Sequence, residues 1–198
     1  MDDPALPDVT QLKALSHPVR MRILGLLRTL GPATATLIAQ RLGLNSGATS
    51  YHLRQLAEHG FVREAPELGS KRERWWQAVS QVTSVPEPVD PDDEGRDATD
   101  AFHHVVVGQQ AQRMQAAAER RGGESQQWRA VTSVSDVTVA VTSDQAAQIQ
   151  RRFEQLLWEV IDEHGGPPGP VAEGERRFNV VLATFVDTDE AAWGDDRA

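Results

Sequence analysis

The chain has 198 residues and a formal net charge of −9, with 39% hydrophobic and 25% charged residues. This composition is typical of a globular protein, and the length allows one medium-sized domain or two small ones. The sequence contains no cysteine, which excludes disulfides, thiolate metal sites and thiol-based sensing. It has no apolar run of about 18 residues and no signal-peptide pattern at its start. We therefore expect a cytoplasmic protein that does not enter a membrane.

The acidic net charge conceals a basic segment. Residues 11–80 contain ten Lys or Arg residues against four Glu residues, a balance of +6, whereas residues 81–198 carry −12. A basic block on an otherwise acidic chain is the electrostatic footprint of a nucleic-acid-binding module. Surface helices are often mildly basic, however, so charge alone leaves the function open.

Four helices are predicted before residue 61. Pro18 is favoured at the first position of a helix, and Gly31 ends that helix. Gly60 supplies a left-handed residue at the end of the last helix, with Phe61 as the apolar contact beyond it. The expected ranges, in chain order, are 8–16, 18–30, 34–43 and 46–59, the last capped by Asn45 or Ser46.

A change of spacing after Phe61 predicts a β-hairpin. Residues 61–79 alternate as two strands joined by a turn around 67–71. Residues 84–95 contain three prolines and an acidic run, which favours a linker over helix or sheet. The expected organisation is therefore an N-terminal domain, a linker, a C-terminal domain and a disordered acidic tail, at 8–80, 81–96, 97–187 and 188–198 respectively.

The C-terminal half is predicted to combine helices with strands. Residues 97–121 have a helical pattern with a weak apolar stripe, and the alternation over 137–141 predicts a strand. Thr142 and Gln145 fit a capping box that opens an amphipathic helix, whose apolar side we expect to form core rather than a docking surface. A last strand is expected at 178–186. The expected fold class is mainly α with small β (α+β).

The helices followed by a hairpin have the order of a winged helix-turn-helix. Ala39, Gly43 and Leu44 supply the small residue at the helix crossing, the left-handed turn residue and the apolar plug of such a unit. The predicted helix at 46–59 then becomes the recognition helix, with Leu53 and Leu56 packing inward. The opposite face, directed at the DNA major groove, comprises Gly47, Ser50, Tyr51 and Arg54.

These motifs resemble the ArsR family of bacterial winged-helix repressors. The resemblance rests on LKALSHPVRMRILGLL, LIAQRLGLNSGATSYHLRQLAEHGFV and the GSKRERWW wing, and covers about residues 10–80. It is nearest to the branch with an additional C-terminal domain, which would dimerise or bind an effector. One departure is Thr49, where helix-turn-helix cores usually bury Val or Ile. The DNA-binding residues that the resemblance implies are Asn45, Ser46, Gly47, Ser50, Tyr51, Arg54, Lys71, Arg72 and Arg74.

Several of these side chains admit two roles. Arg54 could pair with guanine, a contact worth ~1–3 kcal/mol of discrimination, or clamp a phosphate. The wing cations would reach the DNA backbone or minor groove, or would simply be solvated. His52 is expected to be a half-buried packing residue. At least one of Trp75 and Trp76 is expected to pack inward, because neighbours in a strand point in opposite directions.

The resemblance also implies partners. Relatives dimerise through the first helix and a helix after the wing, so residues 97–121 are the candidate dimer helix. Two recognition helices would then read half-sites about 34 Å apart on a near-palindromic operator in double-stranded DNA. No cofactor is expected, and the sequence does not identify a small-molecule effector.

The sequence also admits two other classes of function. A metal-responsive regulator would need clustered ligands, and the candidate is His103 and His104 with Asp100. Adjacent histidines point about 100° apart on a helix, so both cannot easily share one ion. The alternative is a protein-interaction module that reuses the winged helix. The sequence lacks the usual hydrolase, metalloprotease and phosphate-loop motifs, so an enzyme is not expected.

Overall fold

The computed structural model describes residues 7–69, 73–81, 83 and 92–186. The helices in this part of the chain are α1 (Val9–Leu15), α2 (Pro18–Leu30), α3 (Ala35–Leu42), α4 (Ser46–Glu58), α5 (Asp93–Arg120), α6 (Gln126–Ala130) and α7 (Ser143–His164). The strands are β1 (Ala33–Thr34), β2 (Val62–Glu64) and β3 (Trp75–Ala78), and short 3-10 turns span Pro66–Leu68 and Arg121–Gly123. The expected class, mainly α with small β, is confirmed.

The first two helices begin close to the predicted residues 8 and 18, and side chains cap both. The Asp8 carboxylate accepts a hydrogen bond from the Gln11 backbone N–H at 2.8 Å, and the Gln11 side chain accepts one from the Asp8 N–H at 3.0 Å. This reciprocal pair satisfies two backbone donors at the start of α1. Pro18 occupies the first position of α2, and Nδ1 of His17 accepts the Val19 N–H at 3.1 Å.

The helix-turn-helix is formed by α3 and α4. Gly43, with φ of +65°, ends α3 in the left-handed conformation that glycine adopts without strain. The Leu44 N–H then bonds to the Ala39 carbonyl at 2.8 Å, which closes the turn. Gly60 ends α4 in the same way with φ of +78°. The predicted roles of both glycines are confirmed.

The sheet contains a strand that the sequence pattern did not predict. The strand order of the sheet is β1-β3-β2, and all pairs are antiparallel. In the pair of β1 with β3, Ala33 lies opposite Trp76 and Thr34 lies opposite Trp75. Two residues are too few to show alternation, so β1 is defined only by its partner strand. The hairpin itself is confirmed, with Val62 opposite Ala78. Its connection is longer than the predicted turn at 67–71, because β2 ends at Glu64 and β3 starts at Trp75.

One hydrophobic core holds the winged helix together. It takes side chains from α1 to α4, from the sheet and from the start of α5: Leu12, Leu15, Ile23, Leu24, Leu27, Ala33, Ile38, Leu53, Leu56, Val62, Trp76, Ala98 and Phe102. Burying one such large apolar side chain stabilises a fold by about 1.5–3 kcal/mol. Thr49 is also fully buried, and its hydroxyl donates to the Asn45 carbonyl at 2.9 Å, so the polar group is satisfied.

The helix α5 begins before residue 97, where the C-terminal domain was expected to start, and its first turns belong to the N-terminal unit. Because the Asp92 side chain caps it by accepting the Gly95 N–H at 2.7 Å, α5 begins at Asp93 rather than at Asp97. Ala98 and Phe102 lie in the core of the winged helix, where α5 packs against α1. By its contacts, the described chain up to residue 129 forms one compact unit with residues 167–175, and α5 is therefore part of the N-terminal unit.

The second unit contains residues 130–166 and, in the described part of the chain, 176–186. The strands predicted at 137–141 and 178–186 are wrong, since neither segment pairs with another strand and their side chains are exposed. A strand needs a hydrogen-bonding neighbour, which alternation alone does not supply. The Thr142–Gln145 capping box of α7 is confirmed. The expectation that α7 forms core is wrong for the single chain, because none of its residues is buried.

Candidate DNA-binding site

The recognition helix α4 has two chemically distinct faces. Thr49, Leu53 and Leu56 are fully buried and fix the helix against the core of the winged helix. The other side of the helix is exposed from its first residue, and Tyr51 and Arg54 project from it. An exposed polar face on a helix anchored by a buried apolar face is the arrangement that allows a helix to enter the major groove without losing its support.

The N-terminus of α4 is open to solvent. Ser46, Gly47 and Ala48 are exposed and small, so this end of the helix can be approached closely. The positive end of the helix dipole favours a phosphate there. Asn45, expected to contact DNA, has a role that the structure shows directly. Its side-chain oxygen caps α4 by accepting the N–H groups of Gly47 at 2.8 Å and Ala48 at 3.3 Å.

The predicted contact residues in the middle of α4 are held in different ways. Arg54 is exposed, and its Nε donates to the Ser50 carbonyl one turn earlier at 3.2 Å. This bond uses one of the five guanidinium N–H donors and leaves the others for a base or a phosphate. Tyr51 is 52% exposed, and its ring meets the edge of His52 with a centroid separation of 5.4 Å. Ser50 is half-buried.

Two histidines join α4 to the start of α2. The rings of His17 and His52 lie 4.7 Å apart between centroids, and both are partly buried. Burial lowers the pKa of His17, and the nearby Arg20 lowers it further. Burial also lowers the pKa of His52, followed by the effects of His17 and Arg20. The expectation that His52 is a half-buried packing residue therefore agrees with its position.

Arg20 lies beside this pair and was not singled out from the sequence. Its guanidinium donates to the Ala14 carbonyl and, at 3.1 Å, to the Lys13 carbonyl at the end of α1. Basic groups are favoured at a helix C-terminus because they complement the dipole there. No sequence pattern predicts these hydrogen bonds, because they depend on the angle between α1 and α2.

The wing contributes less free charge than its sequence indicates. Arg74 donates to the Glu64 carboxylate across the hairpin at 3.2 Å, and both side chains are exposed. Trp76 is buried in the core and Trp75 is half-buried, which confirms that at least one tryptophan packs inward. Lys71 and Arg72, two of the predicted DNA contacts, lie outside the described residues.

Two further expectations concern metal ligands and membrane-spanning helices. His103 and His104 are both exposed on α5, and no three His, Cys, Asp or Glu residues are grouped as metal ligands in the described part of the chain. Among the described helices, none combines the length and the apolar character needed to cross a bilayer.

The recognition helix, its glycine-terminated turn and the adjoining hairpin define a helix-turn-helix DNA-binding regulator. Comparison with protein families agrees with this class. A family described as "Helix-turn-helix domain" matches residues 15–65, which run from the end of α1 to just beyond β2. No curated protein matches the chain.

Proposed function

We propose that the protein is a sequence-specific transcriptional regulator of the ArsR type, acting in the cytoplasm as a dimeric repressor on a near-palindromic operator. The observation that carries this proposal is the anchored and exposed α4, with Leu53 and Leu56 buried on one side and Tyr51 and Arg54 on the other. Repression would follow from occupation of promoter DNA. The proposal assigns no catalytic reaction to the chain.

The electrostatics of the winged helix support a DNA partner. Residues 11–80 carry a balance of +6 on a chain whose net charge is −9. Arg54 on α4 and Arg41 near the end of α3 are exposed, so the cationic groups are accessible to a polyanion. Each phosphate that a protein neutralises releases counterions, so binding should weaken steeply as salt rises.

The proposed homodimer has one candidate helix from the family resemblance. The first turns of α5 pack on α1 through Ala98 and Phe102, and Lys13 pairs with Glu94 beside them. The later turns of α5 are largely exposed, including Val107 at 65%. In the proposed arrangement α1 and α5 together face the same elements of the second copy and place two recognition helices about 34 Å apart.

The test is fluorescence anisotropy of the full-length protein on its own upstream DNA and on scrambled DNA of equal length. We expect preference for the upstream fragment and a negative slope of log K against log salt. Arg54→Ala should reduce affinity by about 1–3 kcal/mol if the guanidinium pairs with guanine, and lower the preference. The matched control is Arg63→Ala, which removes the same charge from the exposed side of β2. Equal, weak binding of both DNAs by the wild-type protein would contradict the proposal.

A protein-interaction module is the second candidate, because an exposed α4 can equally dock on a protein. Replacing Arg74 with Glu places two carboxylates side by side at the wing, since Arg74 now pairs with Glu64. If the wing binds DNA, Arg74→Glu should lower both the affinity for DNA and the slope of log K against log salt. If the winged helix instead binds a protein, the affinity for that protein should not change when DNA is added as a competitor.

A further inference from the structure

The helix α7 carries an apolar stripe that the described part of the chain leaves largely uncovered. Ala146, Ile149, Phe153, Leu156 and Val160 follow each other at alternating steps of three and four residues. This is the spacing with which helices form a two-stranded seam. The helix has 22 residues and is therefore about 33 Å long. None of its residues is buried, and Leu156 in the middle of the stripe is 49% exposed.

The two edges of the stripe differ. Along one edge, residues 182–184 line a shallow pocket with Phe153 and Leu157, and the Thr184 hydroxyl donates to the Gln150 side chain at 2.6 Å. Along the other edge, a second shallow concavity is lined by α7 residues alone, including Ile149, Arg152 and Leu156. Within the described residues, the chain therefore covers one edge of the stripe and leaves the other open.

We propose that the open edge of α7 binds α7 of a second copy of this chain in an antiparallel pair; this inference rests on the homodimer proposed above. A two-fold axis near residues 154 and 155 brings Phe153 of one copy opposite Leu156 of the other. The same axis brings Ile149 opposite Val160. A closed two-fold contact of this kind uses one patch on both copies.

Charge complementarity selects the antiparallel arrangement. Arg152 and Glu159 both flank the seam on its open edge, seven residues apart, and in an antiparallel pair each Arg152 faces Glu159 of the other copy. Two identical ion pairs result. In a parallel pair, Arg152 would instead face Leu157 and the charge would lack an acidic neighbour across the seam.

The unit that contains α7 leaves the apolar stripe accessible to a partner. In the described residues 130–166 and 176–186 no side chain is buried. Ile149, Phe153 and Val160 are partly exposed, and Leu156 is 49% exposed. A two-fold pair along the open edge would therefore remove the same apolar side chains from water on both copies.

The experiment is sedimentation equilibrium of the full-length chain at low ionic strength. Arg152→Glu and Glu159→Arg should each weaken dimerisation by roughly tenfold, because each places two like-charged pairs across the seam. The double variant, Arg152→Glu with Glu159→Arg, should restore the wild-type dissociation constant. Residues seven apart do not contact each other within one helix, so restoration would report a contact between copies.

Two controls keep the outcome clear. Arg151→Glu makes the same change of charge on the side of α7 away from the seam and should leave the dissociation constant unchanged. Leu156→Ser should weaken the dimer, and because Leu156 is half-exposed in the single chain, circular dichroism should show that its helix content is retained.

The possible results separate this inference from the proposed function. If the wild-type protein is a dimer but the double variant remains as weak as the single ones, the antiparallel α7 pair is refuted while the homodimer stands. A wild-type monomer at the highest concentration would refute both the homodimer and the α7 pair. DNA binding is measured independently by anisotropy, so the helix-turn-helix assignment is not affected by either result.

Discussion

Asn45 offers a way to vary the stability of α4 and its approach to DNA separately. Its side-chain oxygen accepts two backbone N–H groups at the start of the recognition helix, at 2.8 Å and 3.3 Å. Replacing such a cap by Ala costs about 0.5–2 kcal/mol, so Asn45→Ala should lower the free energy of unfolding by ~1 kcal/mol. Asn45→Asp keeps the acceptor, and its charge gains ~0.3–1 kcal/mol from the helix dipole.

The same two variants should rank differently in DNA binding. The exposed residues 46–48 would bring a phosphate close to this end of α4. A new carboxylate about 4 Å from a phosphate is repelled by ~1 kcal/mol or more even in water. Asn45→Asp should therefore bind DNA at least about fivefold more weakly, although it unfolds no more easily than the wild type. Asn45→Ala should lose stability but bind less weakly than Asn45→Asp.

Urea unfolding and fluorescence anisotropy on the same preparations are the two assays. Asn45→Ser is the control, because Ser is a good cap without charge and should preserve both properties to within a few tenths of a kcal/mol. Unchanged urea midpoints for Asn45→Ala would mean that the cap does not stabilise α4. Wild-type DNA affinity for Asn45→Asp would mean that the N-terminus of α4 does not face the phosphates.

Three further predictions concern the supports of the helix-turn-helix. Leu53→Ala should reduce the free energy of unfolding by about 2–5 kcal/mol in urea titrations, because Leu53 is fully buried. Its exposed neighbour Arg54 should tolerate Ala within ~0.5 kcal/mol. Similar losses of stability for the two variants would contradict the assigned faces of α4. Burial lowers the pKa of His17 and His52, so the folded state favours their neutral forms. The free energy of unfolding should be highest above about pH 6.5 and should fall below that pH. The fall should be less than ~1.4 kcal/mol per pH unit for each histidine, because the rings are partly exposed. A flat profile from about pH 7.5 to 5 in the wild type, or a profile that His52→Gln leaves unchanged, would refute this dependence. Arg28→Ala should cost about 1–3 kcal/mol in thermal unfolding, because the guanidinium donates to the Ser80 carbonyl at 2.8 Å and to the Thr83 hydroxyl at 2.6 Å. An unchanged melting temperature would show that these bonds are not stabilising.

The elements that could be predicted from the sequence are those with local causes. The start of α1 depends on Asp8 and Gln11, three residues apart, and the end of α3 depends on the left-handed Gly43. Such signals lie within one turn of the helix that they begin or end, so the sequence contains them in full. The buried and exposed faces of α4 follow equally from the helical period, which is why Leu53 and Tyr51 lie on the sides expected.

The features that escaped prediction depend on distant partners. β1 exists because Trp75 and Trp76 pair with it, and the start of α5 joins the winged helix because α1 offers an apolar surface. The sequence of the wing indicates a free charge at Arg74, but the Glu64 carboxylate that pairs with it lies ten residues earlier in the chain and across the hairpin.

The short strand β1 constrains the spacing between the DNA contacts of the wing and those of α4. It ties the residues just before α3 to β3, so the hairpin and the helix-turn-helix share one sheet. The wing therefore cannot slide along a groove independently of α4. If the wing and α4 both contact DNA, the protein fixes the distance between the two contacts. One inserted base pair lengthens that DNA segment by about 3.4 Å, which a two-residue antiparallel pairing cannot follow without breaking. The operator should then tolerate substitutions between the two contacts far better than insertions.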